Sequence, residues 1–100
     1  MCNEKIIFEW DEEKNRKNFE KHGFSFDDAE EVFNSPTITF VDERYNYDEV
    51  RQVTLGAYKE RIVFIVYTLR ENRIRLISRR KANAREQKIY QKRLETYRRN

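Results

Sequence analysis

Residues 61–69 read Arg-Ile-Val-Phe-Ile-Val-Tyr-Thr-Leu and contain the longest apolar run of the chain, Ile62–Tyr67. Successive side chains of a β-strand point to opposite faces of the sheet, so this segment presents apolar side chains on both faces. That pattern is typical of a central strand. The sequence therefore predicts a sheet that is built around residues 61–69.

Four further segments have the composition of strands. They are a short apolar segment at Ile6–Phe8, residues 37–41, residues 50–57, and residues 73–79, which follow a turn at Glu71-Asn72. In residues 73–79, strict alternation predicts that Ile74, Leu76 and Ser78 share one face and that Arg73, Arg75, Ile77 and Arg79 share the other. Three arginines on one face repel each other unless an anion or acidic side chains lie beside them.

Three segments are predicted to be helical. Asp11 is a suitable N-cap for a polar helix over residues 12–22, in which Phe19 is the expected apolar anchor and Gly23 the terminator. A second helix is expected to begin at Ser25, with Asp28 completing a variant capping box. Its buried stripe consists of Phe26, Ala29, Val32 and Phe33, and Pro36 closes it. The last helix is predicted over residues 82–97.

The element order is therefore β-α-α-β-β-β-β-α, and the fold class is α+β. Short connections between successive strands favour antiparallel pairing. We expect one domain, residues 1–100, in which helices pack on one face of a curved, mainly antiparallel sheet. The other face, which carries Tyr and Arg side chains, is expected to be partly open.

The charge of the chain is concentrated at its C-terminal end. Residues 70–100 contain twelve Lys or Arg and three Glu, a charge of +9, so the first 69 residues carry −6 of the total of +3. Such asymmetry indicates an end of the molecule that faces a polyanion, either nucleic acid or an acidic protein partner.

The composition argues against most enzyme classes. One His and one Cys, Cys2, allow no metal-site spacing and no internal disulfide, and the two glycines allow no phosphate-binding glycine loop. We therefore expect no metal and no cofactor. Because no segment has the length of a signal peptide or a membrane span, we expect a cytoplasmic protein without a membrane partner.

RNA cleavage without a metal is compatible with the remaining side chains. It requires a base for the 2′-hydroxyl proton, cations for the phosphate oxygens and a proton donor for the leaving 5′-oxygen. Arginine suits the second task because its planar fork binds two oxygens at once. Adjacent predicted strands supply such groups: Arg61, Tyr67, Arg70, Arg75, Arg79 and Arg80.

Structural roles compete with these functional interpretations. His22 can act in catalysis or simply favour the C-terminal end of its helix as a cation. Tyr67 can belong to the core or to a site, and the basic last helix can be a solvated face. Trp10 and Phe19 are interpreted as packing residues.

The ordered set of residues between Phe8 and Leu94 resembles the BrnT toxin family. The resemblance is carried by Phe8-Glu9-Trp10-Asp11, Lys14, Asn18, Lys21-His22-Gly23, Phe26, Ala29, Val32-Phe33, Arg51, Gly56, Arg61, Val66-Tyr67-Thr68, Arg70, Ile74-Arg75-Leu76-Ile77-Ser78, Arg80-Lys81-Ala82, Arg85-Glu86 and Tyr90. It implies a RelE-like fold and a metal-independent ribonuclease that inhibits translation. It also implies a BrnA-like antitoxin, which neutralises the toxin and contacts operator DNA. The alternative is a catalytically inactive homologue that acts only as a nucleic-acid- and antitoxin-binding module in operon autorepression.

The resemblance also implies a catalytic set: His22, Arg61, Tyr67, Arg70, Ser78, Arg80 and Glu86. Separately from the resemblance, we expect the cations Arg75, Arg79, Lys81 and Arg85 to bind RNA. Our hypothesis is that Arg61, Arg70 and Arg80 converge in one pocket and hold phosphate, while His22 or Glu86 moves protons. Two positions depart from the family pattern: Arg79 stands where Ala is usual, and Asn83 where Thr is common.

Overall fold

The computed structural model describes residues 6–43 and 49–98. Its elements are β1 (Ile7–Glu9), α1 (Glu12–His22), α2 (Ala29–Phe33), β2 (Thr37–Val41), β3 (Gln52–Tyr58), β4 (Arg61–Arg70), β5 (Arg73–Lys81) and α3 (Ala84–Arg98). The α+β class and the predicted order of elements are confirmed. Cys2 and most of the polar segment that follows Val41, residues 44–48, lie outside the described residues.

Strand β4 lies at the centre of the sheet, as its sequence predicts. Within the described residues the strand order is β1-β5-β4-β3-β2. The pairings β2–β3, β3–β4 and β4–β5 are antiparallel, while β1 runs parallel to β5 with Ile7 opposite Arg73. The sheet is therefore mixed, and β5 is paired with β1 only along its first residues.

Helices cover both faces of the sheet, which corrects the expectation of one helical face. Val63 and Ile65 pack under the segment that contains α2, together with Phe26 and Val32. Phe64, which alternates with them, packs on the opposite face in a second cluster that includes residues of α3. Because β4 is apolar on both sides, each side needs a cover that removes it from water.

Buried asparagines, and not Phe19, attach α1 to the sheet. Phe19 is 57% exposed, whereas Asn15 and Asn18 are the buried residues of the helix. The Asn18 amide donates to the carbonyl oxygen of Arg79 at 2.8 Å and accepts from the Arg79 N–H at 3.1 Å. It thus pairs with the free edge of β5 as a neighbouring strand would. The predicted caps are confirmed: Asp11 accepts N–H groups of the first turn, and Gly23 has a φ of 79°.

The second helix is shorter than expected. It begins at Ala29, and the predicted capping box from Ser25 does not form. The Asp28 carboxylate instead accepts hydrogen bonds from Tyr58 and Arg79. The predicted stripe is confirmed, because Phe26, Ala29 and Val32 are buried and Phe33 packs against the same cluster.

A register shift in β5 changes which face its last residues occupy. Val66 lies opposite Ser78 and Tyr67 lies opposite Leu76, so Ile77 is an extra residue between the two pairs. Such a bulge interrupts the alternation of side chains. Arg79 therefore faces α1 and α2 together with Leu76, and does not share the face of Arg73 and Arg75 as strict alternation predicts.

Candidate functional site

Arg80 is held in a fixed orientation at the end of β5. Its two terminal nitrogens donate to the two carboxylate oxygens of Glu86, each at 2.9 Å. The guanidinium also stacks on the Phe64 ring, with 3.9 Å between Cζ and the ring centroid. The side chain is 27% exposed, so this preorganised cation remains accessible from solvent.

The first turn of α3 positions Glu86. The Asn83 N–H donates to Glu86 Oε1 at 2.8 Å, and the Glu86 N–H donates to Asn83 Oδ1 at 2.8 Å. These reciprocal bonds form a capping box, which fixes where α3 begins. Asn83 was not among the predicted site residues, although the spacing of Asn83 and Glu86 is the signal that could have identified it.

His22 is the last residue of α1 and is half-buried. Burial lowers the pKa of His22 below its usual value of 6.5, and the charges of Lys21 and Arg80 lower it further. The helix dipole favours a protonated imidazole at the end of a helix, whereas burial and the two cations favour the neutral form. With its pKa below 6.5, the imidazole is mainly neutral near pH 7.

A second group of arginines lies on the open part of the sheet, on the same face as Arg80. Arg73 and Arg75 both bind Glu9, at 2.9 and 3.4 Å, and Arg70 binds Glu49 at 3.0 Å. They line a cavity of about 300 Å³. Ser78 lies opposite Val66 between this group and Arg80, and is half-buried.

The arginines of the predicted site do not converge in one pocket. Arg61 and Arg70 are the first and last residues of β4, a strand of 10 residues. At about 3.3 Å per residue, their backbones lie roughly 30 Å apart. Arg61 and Lys81 are exposed near one end of the sheet, and Arg85 is exposed on the first turn of α3. The structure pairs Arg80 with Glu86, leaves Arg61 apart from Arg70, and relates His22 to Arg80 only through the charge of Arg80, which lowers the pKa of His22.

Two predicted functional side chains are buried in the fold. Tyr67 is part of the core under α2, and its hydroxyl bonds to the Thr54 hydroxyl at 2.6 Å. Arg79 has no exposed side-chain surface and pairs with Asp28. Burial alone would raise the pKa of Asp28, but hydrogen bonds from Tyr58 and Arg79 and the charge of Arg79 lower it. In this structure neither Tyr67 nor Arg79 is accessible to a nucleic acid.

A comparison with protein families defines the class. The model of the ribonuclease toxin, BrnT, of type II toxin–antitoxin systems matches residues 10–86, about three quarters of the chain. The protein is thus a ribonuclease toxin of a type II system, and its partner is a protein antitoxin. The chain belongs to the BrnT family, which confirms the resemblance seen in the sequence. A search of curated proteins finds no match.

None of the helices in 6–43 and 49–98 has the length and apolar character needed to cross a membrane. In the same ranges no group of three or more His, Cys, Asp or Glu side chains is arranged to hold a metal ion.

Proposed function

We propose that this toxin cleaves RNA without a metal ion and that His22, Arg80 and Glu86 form its reaction centre. The proposal rests on one observation above all: Glu86 holds Arg80 as a preorganised, accessible fork, and the charge of Arg80 helps to lower the pKa of the half-buried His22 imidazole. A neutral imidazole can accept a proton, and a fixed guanidinium can stabilise the charge that develops on a phosphate.

The reaction that fits these groups is an attack within the RNA strand. His22 accepts the proton of a ribose 2′-hydroxyl as its oxygen bonds to the adjacent phosphorus. The bond from phosphorus to the 5′-oxygen breaks, the leaving 5′-oxygen takes a proton from solvent water, and the products are a 2′,3′-cyclic phosphate and a 5′-hydroxyl end. Arg80 donates to the non-bridging phosphate oxygens. It has N–H groups available for these bonds, because only three of its five N–H groups donate within the described structure. Glu86 is a positioning residue, since it contacts Arg80 and the backbone of α3.

The remaining exposed cations extend the site along one face. Cross-strand partners share a face of the sheet, so Arg75 opposite Thr68 and Arg80 opposite Phe64 both point away from α1 and α2. We propose that an RNA strand follows β5 on this face, with Ser78 between the two arginines. Arg85 then contacts the backbone beyond the reaction centre. Lys81 lies opposite Val63 and points to the other face, and Tyr67 and Arg79 stabilise the fold.

The proposal is tested by incubating labelled RNA with the purified toxin in excess EDTA. We expect cleavage to persist in wild type and to fall by about 100- to 1,000-fold in Arg80→Ala, the usual effect of removing one donor to a developing oxyanion. Arg16→Ala is the matched control, because Arg16 is an exposed arginine of α1 that pairs with Glu13 and Glu20. Thermal unfolding verifies that both variants are folded.

The possible results separate the candidate functions. Cleavage that requires a divalent metal, or that survives unchanged in Arg80→Ala, contradicts the proposed reaction centre. RNA that stays intact at every concentration of wild type favours the alternative of an inactive binding module.

We further propose that the protein acts in the cytoplasm and that its antitoxin is BrnA-like, inhibits it directly and connects it to operator DNA. The family supports a protein antitoxin, and the charge of +9 in residues 70–100 suits an acidic partner surface. Co-expression with the neighbouring reading frame should restore growth. Gel shifts should show operator binding by the antitoxin or the complex and none by the toxin alone.

A further inference from the structure

A groove with aromatic walls lies on the opposite face of the sheet from the Arg80 fork. It has a volume of about 390 Å³ and runs between the end of α1 and the hairpin that joins β3 to β4. Its lining includes Phe19, Phe24, Tyr58, Lys59 and Arg61. Gly23 also lines it, so the groove begins one residue after His22. Three rings and two cations therefore line one groove near the end of α1.

Packing against the core does not explain why an aromatic residue stands at position 19. Phe19 is 57% exposed on a helix whose buried residues are asparagines. Single exposed apolar side chains are common, but Phe19 lines a groove together with two other rings. An aromatic ring that faces an open groove is available to stack on a planar ligand.

The hairpin at the rim of the groove adopts an unfavourable backbone conformation. Lys59 and Glu60 have φ values of 47° and 67°, where turns of this kind usually contain Asn and Gly. Side chains at such positions strain the backbone, and this strain is concentrated at functional sites. The turn places Lys59 Nζ 5.3 Å from the centroid of the Tyr58 ring, at the mouth of the groove.

Arg79 fixes the floor of the groove from beneath. Its Cζ lies 4.7 Å from the Tyr58 ring centroid and 5.1 Å from that of Phe24. The pair with Asp28 balances its charge, and Asp28 also accepts from the Tyr58 hydroxyl. The two rings are therefore held in place before any ligand binds. Arg79 thus supports the groove.

We propose that this groove binds an unpaired nucleobase of the RNA strand that the toxin cleaves. The base stacks on Phe19 and Tyr58, and Lys59 and Arg61 bind the adjoining phosphates. Rings interleaved with cations are the usual surface for a single strand, because every base has a stacking face. The inference rests on the proposed function in that the ligand is RNA, and it gives Arg61 a role away from Arg70.

The test uses a fluorescein-labelled 2′-O-methyl RNA hexanucleotide, which has no 2′-hydroxyl and cannot be cleaved by the proposed reaction. We expect Phe19→Leu to weaken binding by about tenfold, the loss typical of one base stacked on one ring. Phe19→Trp should retain wild-type affinity. Leu69→Ala is the control, because Leu69 is a 48% exposed apolar residue near the opposite end of β4 from Arg61 and does not line the groove.

A second set of probes identifies the contact as base stacking. Each probe of the series is a hexanucleotide that lacks the base at one position. At one of these positions, loss of the base should weaken binding to wild type by about the same tenfold and should leave the affinity of Phe19→Leu unchanged. Equal affinity of wild type and Phe19→Leu for the intact probe overturns the proposal. The proposal is also overturned if the affinities of wild type and Phe19→Leu differ by the same factor on every abasic probe, because the effect of the substitution would then not depend on a base.

The outcomes also separate this inference from the proposed function. Stacking that depends on Phe19, in a wild type that cleaves no RNA, supports the groove and contradicts the reaction centre. Cleavage that depends on Arg80, with binding indifferent to Phe19, supports the reaction centre and overturns the groove. A Phe19→Leu variant that binds RNA normally but resists the antitoxin also overturns it, because the groove would then be a protein-binding surface.

Discussion

Arg79 and Arg80 are neighbours in the chain but differ in burial, partner and role. Arg79 lies wholly inside the fold against Asp28, whereas Arg80 is partly exposed and paired with Glu86. The two charges are stabilised differently: one by a carboxylate and two rings within the protein, the other in part by solvent. Only the second is available to a ligand. Substituting either arginine therefore tests a different property, stability for Arg79 and reactivity for Arg80.

The pH dependence of cleavage tests the role of His22. If the neutral imidazole is the base, kcat/KM should rise with pH through a midpoint below 6.5, since burial and the charges of Lys21 and Arg80 lower the pKa of His22. Arg80→Gln should move the midpoint upward, because a cation that opposes protonation is removed. His22→Gln should abolish this limb of the profile.

The free energy of unfolding should also rise with pH as His22 loses its proton. The folded state binds the His22 proton less readily than the unfolded chain, so the stabilisation is present above pH 6.5 and is lost as pH falls through the lower folded pKa.

For cleavage, an activity midpoint above 6.5, or an unchanged limb of the pH profile in His22→Gln, would show that another group accepts the proton.

At the scale of elements, α1 depends on hydrogen bonds where most surface helices depend on an apolar stripe. The Asn18 amide nitrogen donates to the carbonyls of Phe24 and Arg79, at 2.9 and 2.8 Å, and its oxygen accepts from the Arg79 N–H. These three bonds hold the end of the helix, and therefore His22, against the free edge of β5. The position of the proposed base is thus set by one buried amide.

Replacing Asn18 with Ala should lower the free energy of unfolding by about 3 kcal/mol, roughly 1 kcal/mol for each lost hydrogen bond. Asn18→Asp should be at least as harmful, because a carboxylate cannot donate to two carbonyls. Urea unfolding measures both effects. Lys17→Ala, at an exposed neighbouring position, should change stability by less than about 0.5 kcal/mol. An Asn18→Ala variant as stable as the Lys17 control would disprove this account of α1.

The sequence is sufficient to predict elements whose cause is local. Asp11 and Gly23 mark the ends of α1, and the two-sided apolar run of β4 predicts its central place. The anchoring of α1 could not be predicted in this way, because Asn18 bonds to a strand 61 positions away. Apolar periodicity contains no information on such a bond.

The candidate site shows the same division. Glu86 and Asn83 form a local capping box that their spacing indicates. The face of the sheet on which Arg79 lies depends on one extra residue, Ile77, in the pairing of β4 with β5. Strict alternation of side chains does not predict this extra residue. The approach of His22 to Arg80 follows only from the docking of α1 on β5.

At the scale of the whole molecule, the basic C-terminal third is arranged as an elongated surface. Arg73, Arg75 and Arg80 lie along β5 on one face, and Arg85 continues it on α3. Three glutamates form salt bridges with arginines of this surface, which also includes Arg70: Glu9, Glu49 and Glu86. RNA that follows this surface must compete with the carboxylates, so both affinity and its dependence on salt report how many pairs it replaces.

The salt dependence of binding to a long single-stranded RNA measures this competition. A plot of log affinity against log salt should have a slope of about −0.7 for each phosphate that a protein cation neutralises. Arg75→Gln should make the slope less steep by roughly that amount. Arg16→Gln should leave it unchanged, because Arg16 lies on α1 with its own acidic partners. Glu9→Gln should raise the affinity, since it frees Arg73 and Arg75 from an anion that RNA would otherwise displace. If the slopes of Arg75→Gln and Arg16→Gln are equal, the RNA does not follow this face of β5, and the proposed path of the strand along Arg73, Arg75 and Arg80 is wrong.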